Sequence, residues 1–97
     1  MNSLTELIAT LEERPPMYIG QRSISCLAAY IDGWCDGREK PVDDAEKFHT
    51  FQNWLKKKFH VTTSQTWDRI ILFQSQDESD ALDNFFRLFR EFETTLK

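Results

Sequence analysis

The chain is poor in the residues on which most site chemistry is built: three glycines, two cysteines and two histidines among 97 residues. Three glycines cannot form a phosphate cradle, and neither GxGxxG nor GxxxxGK[ST] occurs, so nucleotide-binding loops are excluded. Cys26 and Cys35 stand nine positions apart. On a helix that offset separates them by about 13 Å along the axis, beyond disulfide reach. With no CxxC pairing, they are expected as free thiols in a reducing compartment. His49 and His60 have no ligand-spaced Cys or carboxylate beside them and are expected on the surface or rim rather than at a metal. No serine or cysteine lies in a nucleophile motif. The carboxylate pairs Asp43-Asp44 and Asp77-Glu78 sit at predicted helix starts, where structure accounts for them. The expectation is a protein with no catalytic residues, cofactor or metal.

Long apolar runs are missing too. No eighteen consecutive apolar residues occur, and no basic segment followed by an apolar run opens the chain, so neither a membrane span nor a leader is expected and the cytoplasm is the expected location. Basic excess is also lacking. Twelve Lys and Arg face sixteen Asp and Glu, for a net charge of −4. That balance argues against direct nucleic-acid binding, which needs a basic face. It suits a basic protein partner, whose approach the field would speed.

What the chain does have is apolar periodicity. Hydrophobic residues make up 40% of it, with eight phenylalanines, and large rings supply much buried area per ordered side chain in a small domain. Ser3-x-x-Glu6 reads as a capping box opening a helix to Glu13, with Leu4, Leu7, Ile8 and Leu11 in one stripe. Pro15 and Pro16 end it. A second helix starts at Ser23, carries Ile24, Leu27, Ala28, Ile31, Trp34 and Cys35 on one face, and can close at Gly37 in a left-handed conformation. A third begins at Asp43, where Asp43-x-x-Glu46 has cap spacing. Its stripe is Phe48, Phe51, Leu55 and Phe59, with Trp54 at the edge and Lys56, Lys57 and Lys58 at the end that suits cations. Trp67–Phe73 fits a short helix better than a strand, which would have no partner to pair with, and Ser64 or Thr66 could cap it. A last helix carries Ala81, Leu82, Phe85, Phe86, Phe89, Phe92 and Leu96. These elements predict an all-α fold, a single-domain bundle of about five helices over residues 1–97.

The stretch Arg14-Pro-Pro-Met-Tyr-Ile-Gly20 is similar over seven residues to the RPGMYIG segment of gyrase B type topoisomerases. The further glycine-rich segments of that ATP site are missing here, so no ATPase is implied. A wider pattern resembles a group of small helical bacterial proteins. The matching features are the RPxMYIG segment, Ser23 through Leu27, Tyr30-Ile31 to Gly33-Trp34, Phe51 with Trp54, and Trp67 with Ile70-Ile71. Asp77-Glu78 through Ala81-Leu82 and Phe85-Phe86 complete it. Pro16 replaces the glycine more usual at its position, which implies a negative backbone angle there. The group includes immunity proteins of bacterial toxin systems, notably contact-dependent growth inhibition.

That resemblance implies a stoichiometric inhibitor of a cognate toxin domain, a basic nuclease, acting as a monomer without cofactor. The candidate toxin-binding residues are the acids Asp77, Glu78, Asp80 and Asp83, then Asp43 and Asp44. Arg87 and Arg90 interrupt that acidic surface. The competing reading is a helical adaptor or self-associating module, with aromatics of the last helix forming a dimer seam. Within RPPMYIG itself, Tyr18 and Ile19 are expected to plug the gap between the first two helices, Met17 to act as a flexible filler, and Gly20 to permit the reversal.

Overall fold

The computed structural model describes residues 2–38 and 40–96, in which the chain forms six helices and no strand. They are α1 (Leu4–Glu13), α2 (Pro15–Ile19), α3 (Ile24–Asp36), α4 (Ala45–Lys58), α5 (Trp67–Phe73) and α6 (Glu78–Thr95). The extra helix is the RPPMYIG stretch. Its prolines occupy the first positions of α2, where a missing N–H costs nothing and a fixed φ suits the helix. The prolines therefore end α1 and begin α2 in one step. Gly20 closes α2 at φ 83°, its N–H bonded to the Pro16 carbonyl at 3.0 Å.

Helix starts follow the local code in part. Ser3 and Ser23 are N-caps, accepting from the Glu6 and Cys26 N–H groups at 3.3 and 3.2 Å. Among the described residues Glu6 makes no reciprocal bond to the Ser3 N–H; Asp44 takes the next two N–H groups, those of Leu4 and Thr5. Thr66 precedes α5 without capping it through its side chain; its hydroxyl donates to Asp68 instead, at 2.6 Å. α4 begins at Ala45, later than the Asp43 spacing predicts.

Two helix ends differ from expectation. Gly37 lies at φ −79°, in the right-handed region. The last turn of α3 is closed by right-handed bonds, Gly37 to Gly33 and Arg38 to Cys35, so no left-handed residue is required. Besides Gly20 after α2, the left-handed helix end is that of α4. His60 has φ 56°, its N–H reaches the Lys57 carbonyl at 3.4 Å, and Val61 reaches back to Lys56 at 2.8 Å. That pair of bonds is a Schellman closure with histidine in the place usually held by glycine.

The core is built around α6, which buries Ala81, Leu82, Phe85, Phe86, Leu88, Phe89 and Phe92. The stripes of α1 (Leu4, Leu7, Ile8, Leu11) and α3 (Ile24, Leu27, Ile31) join it. Fully buried Phe51 of α4 lies 5.1 Å from Phe89, 5.4 Å from Phe92 and 5.9 Å from Phe85 between ring centroids, separations typical of favourable aromatic pairs. Trp67 of α5 completes the cluster, 5.0 Å from Phe85 and edge-on to Phe48 at 5.4 Å. The radius of gyration is 12.9 Å, against about 13 Å for a compact domain of this length. Among the described residues, all four inter-element ion pairs have one member on α6: Lys47–Glu93, Lys58–Glu91, Arg22–Asp83 and Arg90–Glu12. Such half-exposed pairs contribute about 0–1 kcal/mol each; their main effect is to fix the orientation of α6.

Candidate functional site

The six candidate acids fall into two groups, each at helix starts. In the first, Asp44 occupies the N-cap position of α4, but its carboxylate is turned to α1. It accepts from the Leu4 N–H at 2.6 Å, the Thr5 N–H at 2.9 Å, the Thr5 hydroxyl at 2.6 Å and the Ser3 hydroxyl at 3.1 Å. Burial pushes the Asp44 carboxyl up, and the bonds from Thr5, Leu4 and Ser3 outweigh it, leaving the group below its ordinary range. Beside it, the Asp43 carboxylate accepts from the Asn2 amide at 3.0 Å.

The second group repeats the device. Glu78, first residue of α6, holds the start of α3. It accepts from the Ser23 hydroxyl at 2.7 Å and from the Ser25 N–H and hydroxyl, each at 2.9 Å. Those bonds, the one from Ser23 foremost, lower its pKa. Asp77 caps its own helix by accepting from the Asp80 N–H at 2.8 Å. Asp80 accepts from the Gln76 N–H at 2.9 Å and the Asn84 amide at 3.3 Å, and Asp83 pairs with Arg22. Every one of the six therefore has an internal partner. Asp43, Asp77 and Asp83 are exposed; Asp44, Glu78 and Asp80 are half-buried.

The free carboxylates are elsewhere. Asp32 and Asp36, one turn apart on α3, are exposed and make no ion pair among the described residues. Asp32 stands on the rim of an open cleft of about 280 Å³ between α3 and the first turns of α4. Leu4, Ile31, Phe48 and Trp67 give the cleft its apolar lining; Cys35, His49 and Gln52 share the rim with Asp32. Burial pushes the Cys35 thiol up, and the carboxylates of Asp32, Asp36 and Asp44 push further while Arg38 opposes them. A thiol so held is a poor nucleophile. Neither Asp32 nor Asp36 is a candidate on sequence grounds, since each reads simply as the solvent side of an amphipathic helix. The position of Asp32 beside α4 depends on packing.

Exposed apolar side chains are equally specific. Phe73, the last residue of α5, is 83% exposed, Met17 70% and Leu96 53%. In RPPMYIG Pro15 is buried and Ile19 packs half-buried against the core as expected, whereas Tyr18 and Met17 face solvent, so Tyr18 is not a plug and Met17 not a filler. The aromatics of α6 are all buried within one chain, so they cannot supply the exposed seam that the self-association reading assumed. Among the described residues no set of three His, Cys, Asp or Glu side chains could hold a metal ion, and no helix is long and apolar enough to cross a membrane. No protein-family model, curated protein or solved structure matches the chain.

Proposed function

We propose that the chain is an immunity protein that binds one toxin domain, a basic nuclease of a contact-dependent growth inhibition system, and neutralises it stoichiometrically in the cytoplasm. The observation that carries this reading is the series of motifs from Arg14 to Phe86, joined to a net charge of −4. Preorganisation supports it. Asp77, Glu78, Asp80 and Asp83 are held by hydrogen bonds or an ion pair at the start of α6, so a basic partner would meet carboxylates whose ordering entropy is already spent. The toxin would be excluded from its substrate by occupation of a basic cleft, with no chemistry by the inhibitor.

The test is a binding titration against the toxin domain encoded beside this gene, paired with growth rescue on co-expression. One-to-one nanomolar binding with rescue is the expected result; absence of both sinks the proposal. Within that complex, Asp83→Lys and Asp43→Lys, at exposed positions, should slow association about tenfold or more and flatten its salt dependence. Unchanged association and salt slope would remove these acids from the interface.

A second reading, a helical adaptor or self-associating module, is favoured by one observation, the nearly full exposure of Phe73.

A further inference from the structure

The α3–α4 cleft pairs an apolar lining with an unmatched charge. Leu4, Ile31, Phe48 and Trp67 supply the lining, and Asp32 on the rim has no hydrogen bond or ion pair with any described residue. Asp36 adds a second free carboxylate one turn on, and the field of both reaches the Cys35 thiol. Arg38, the cation whose field reaches Cys35, is stacked over the Trp34 ring at 3.9 Å. A wholly apolar occupant would leave Asp32 unmatched, and a bare inorganic cation would leave the apolar lining unused. An amphipathic cation uses both, its alkyl stem against the apolar wall and its head at the carboxylate. At about 280 Å³ the cleft has room for roughly nine waters at liquid density, the scale of one long side chain. Two aromatic residues in the lining favour a planar guanidinium, which stacks on rings and matches a carboxylate with two donors.

We propose that this cleft is the seat of an arginine side chain from a basic protein partner, with Asp32 as the carboxylate that receives it. The inference rests on the reading of the chain as an inhibitor of a basic toxin. It places the anchor contact on Asp32 rather than on any of the six acids at the starts of α4 and α6, whose carboxylates already have internal partners; of these, Asp44 lies nearby, bonded to the lining residue Leu4. Arginine buried at the centre of an interface is among the commonest energetic anchors.

The experiment is a titration of the intact chain with n-butylguanidinium, followed by NMR shifts of backbone amides and the tryptophan indoles. n-Butylammonium and n-pentanol serve as comparison probes. Expected are saturable shifts concentrated at Asp32, Cys35, His49, Gln52 and Trp67, with a Kd of about 1–10 mM for so small a ligand. Asp32→Asn should weaken binding at least threefold, whereas Asp83→Asn should leave it unchanged. Shifts spread over the other acids, or undiminished binding by Asp32→Asn, overturn the site. Equal binding of n-butylammonium overturns the arginine assignment. The probe requires no toxin, so its failure removes the cleft assignment alone, whereas failed growth rescue with intact probe binding removes the toxin as the source of the arginine and leaves the guanidinium site standing. The Asp32 side chain makes no ion pair with any described residue, so the variant reads binding rather than stability.

Discussion

Asp44 and Glu78 each stand at the start of one helix and hold the start of another. Both insert a carboxylate into the same local pattern, a serine, an aliphatic residue and a second hydroxyl residue: Ser3-Leu4-Thr5 and Ser23-Ile24-Ser25. The carboxylate takes N–H groups that a helix start leaves unpaired, and its charge sits at the positive end of the dipole. Only half of this device was legible in the sequence. The serine caps lie three residues from their donors and show as spacing, whereas each carboxylate is roughly forty or more positions from the helix it serves. The same carboxylates predict an acid-labile fold. Both groups titrate below their ordinary values of 3.8 and 4.5, so the folded form holds fewer protons than the unfolded one near pH 4. Their contribution is complete above about pH 5 and is lost as pH falls through the lowered values. Stability from urea unfolding should be level between pH 5.5 and 8 with respect to these groups and fall below about pH 4. Asp44→Ala should cost about 1–2 kcal/mol at pH 7, and the Asp44→Asn/Glu78→Gln double variant should lose less than the parent between pH 5 and pH 3. An acid limb as steep in the double variant would mean that other groups carry it.

At the scale of elements, the five helices expected from periodicity are present, and the sixth hides in a segment whose prolines read as a stop. Proline at a first helical position and proline after a helix end give the same signal in sequence; which role Pro15 and Pro16 take is decided by the residues after them. Buried Pro15 and exposed Tyr18 show that the segment is a corner fixed by its backbone. The decisive residue there is Gly20. Nothing lies within 4 Å of a Cβ added to it, yet its φ is 83°, so Gly20→Ala should cost about 1–2 kcal/mol through the backbone alone. His60 is the mirror case, a side chain held at φ 56° where glycine would be relaxed. His60→Gly should therefore raise stability by about 0.5–1 kcal/mol, the relief of the left-handed penalty less the added freedom of the unfolded chain. Opposite signs in thermal or urea unfolding are the check. If His60→Gly destabilised the fold, contacts of the imidazole would outweigh the strain. Composition marks none of this, because a left-handed histidine is set by where α4 must turn toward α5, not by its own preference.

For the whole molecule, the position of α6 decides how much apolar surface is left for other molecules. Periodicity names Ala81, Leu82, Phe85, Phe86, Phe89 and Phe92, all buried, and it also names Leu96, which is exposed just past the last turn. Leu88 is buried as well, three residues after Phe85 and four before Phe92, so its place was readable. What was not readable is that neighbours within the same chain cover the whole broad face. α1, α3, α4 and α5 consume it, and a broad stripe alone cannot distinguish a central helix from a dimer seam. Exposed Phe73 and Leu96 do not make a second seam together. Phe73 precedes α6 by a short turn and Leu96 comes directly after its last residue. An 18-residue helix spans about 27 Å, so the two stand near opposite ends of the molecule. Isolated apolar side chains are normal on monomer surfaces, whereas a stable dimer buries about 800 Å² per partner. Sedimentation equilibrium across 10–200 μM should accordingly give a single species at the monomer mass of 11.5 kDa, with Phe73→Ser leaving both mass and unfolding free energy unchanged within about 0.5 kcal/mol. A doubled mass abolished by Phe73→Ser would make Phe73 the centre of a self-association surface and favour the adaptor reading over toxin inhibition. A monomer at every concentration would leave Phe73 and the α3–α4 cleft free for a different protein.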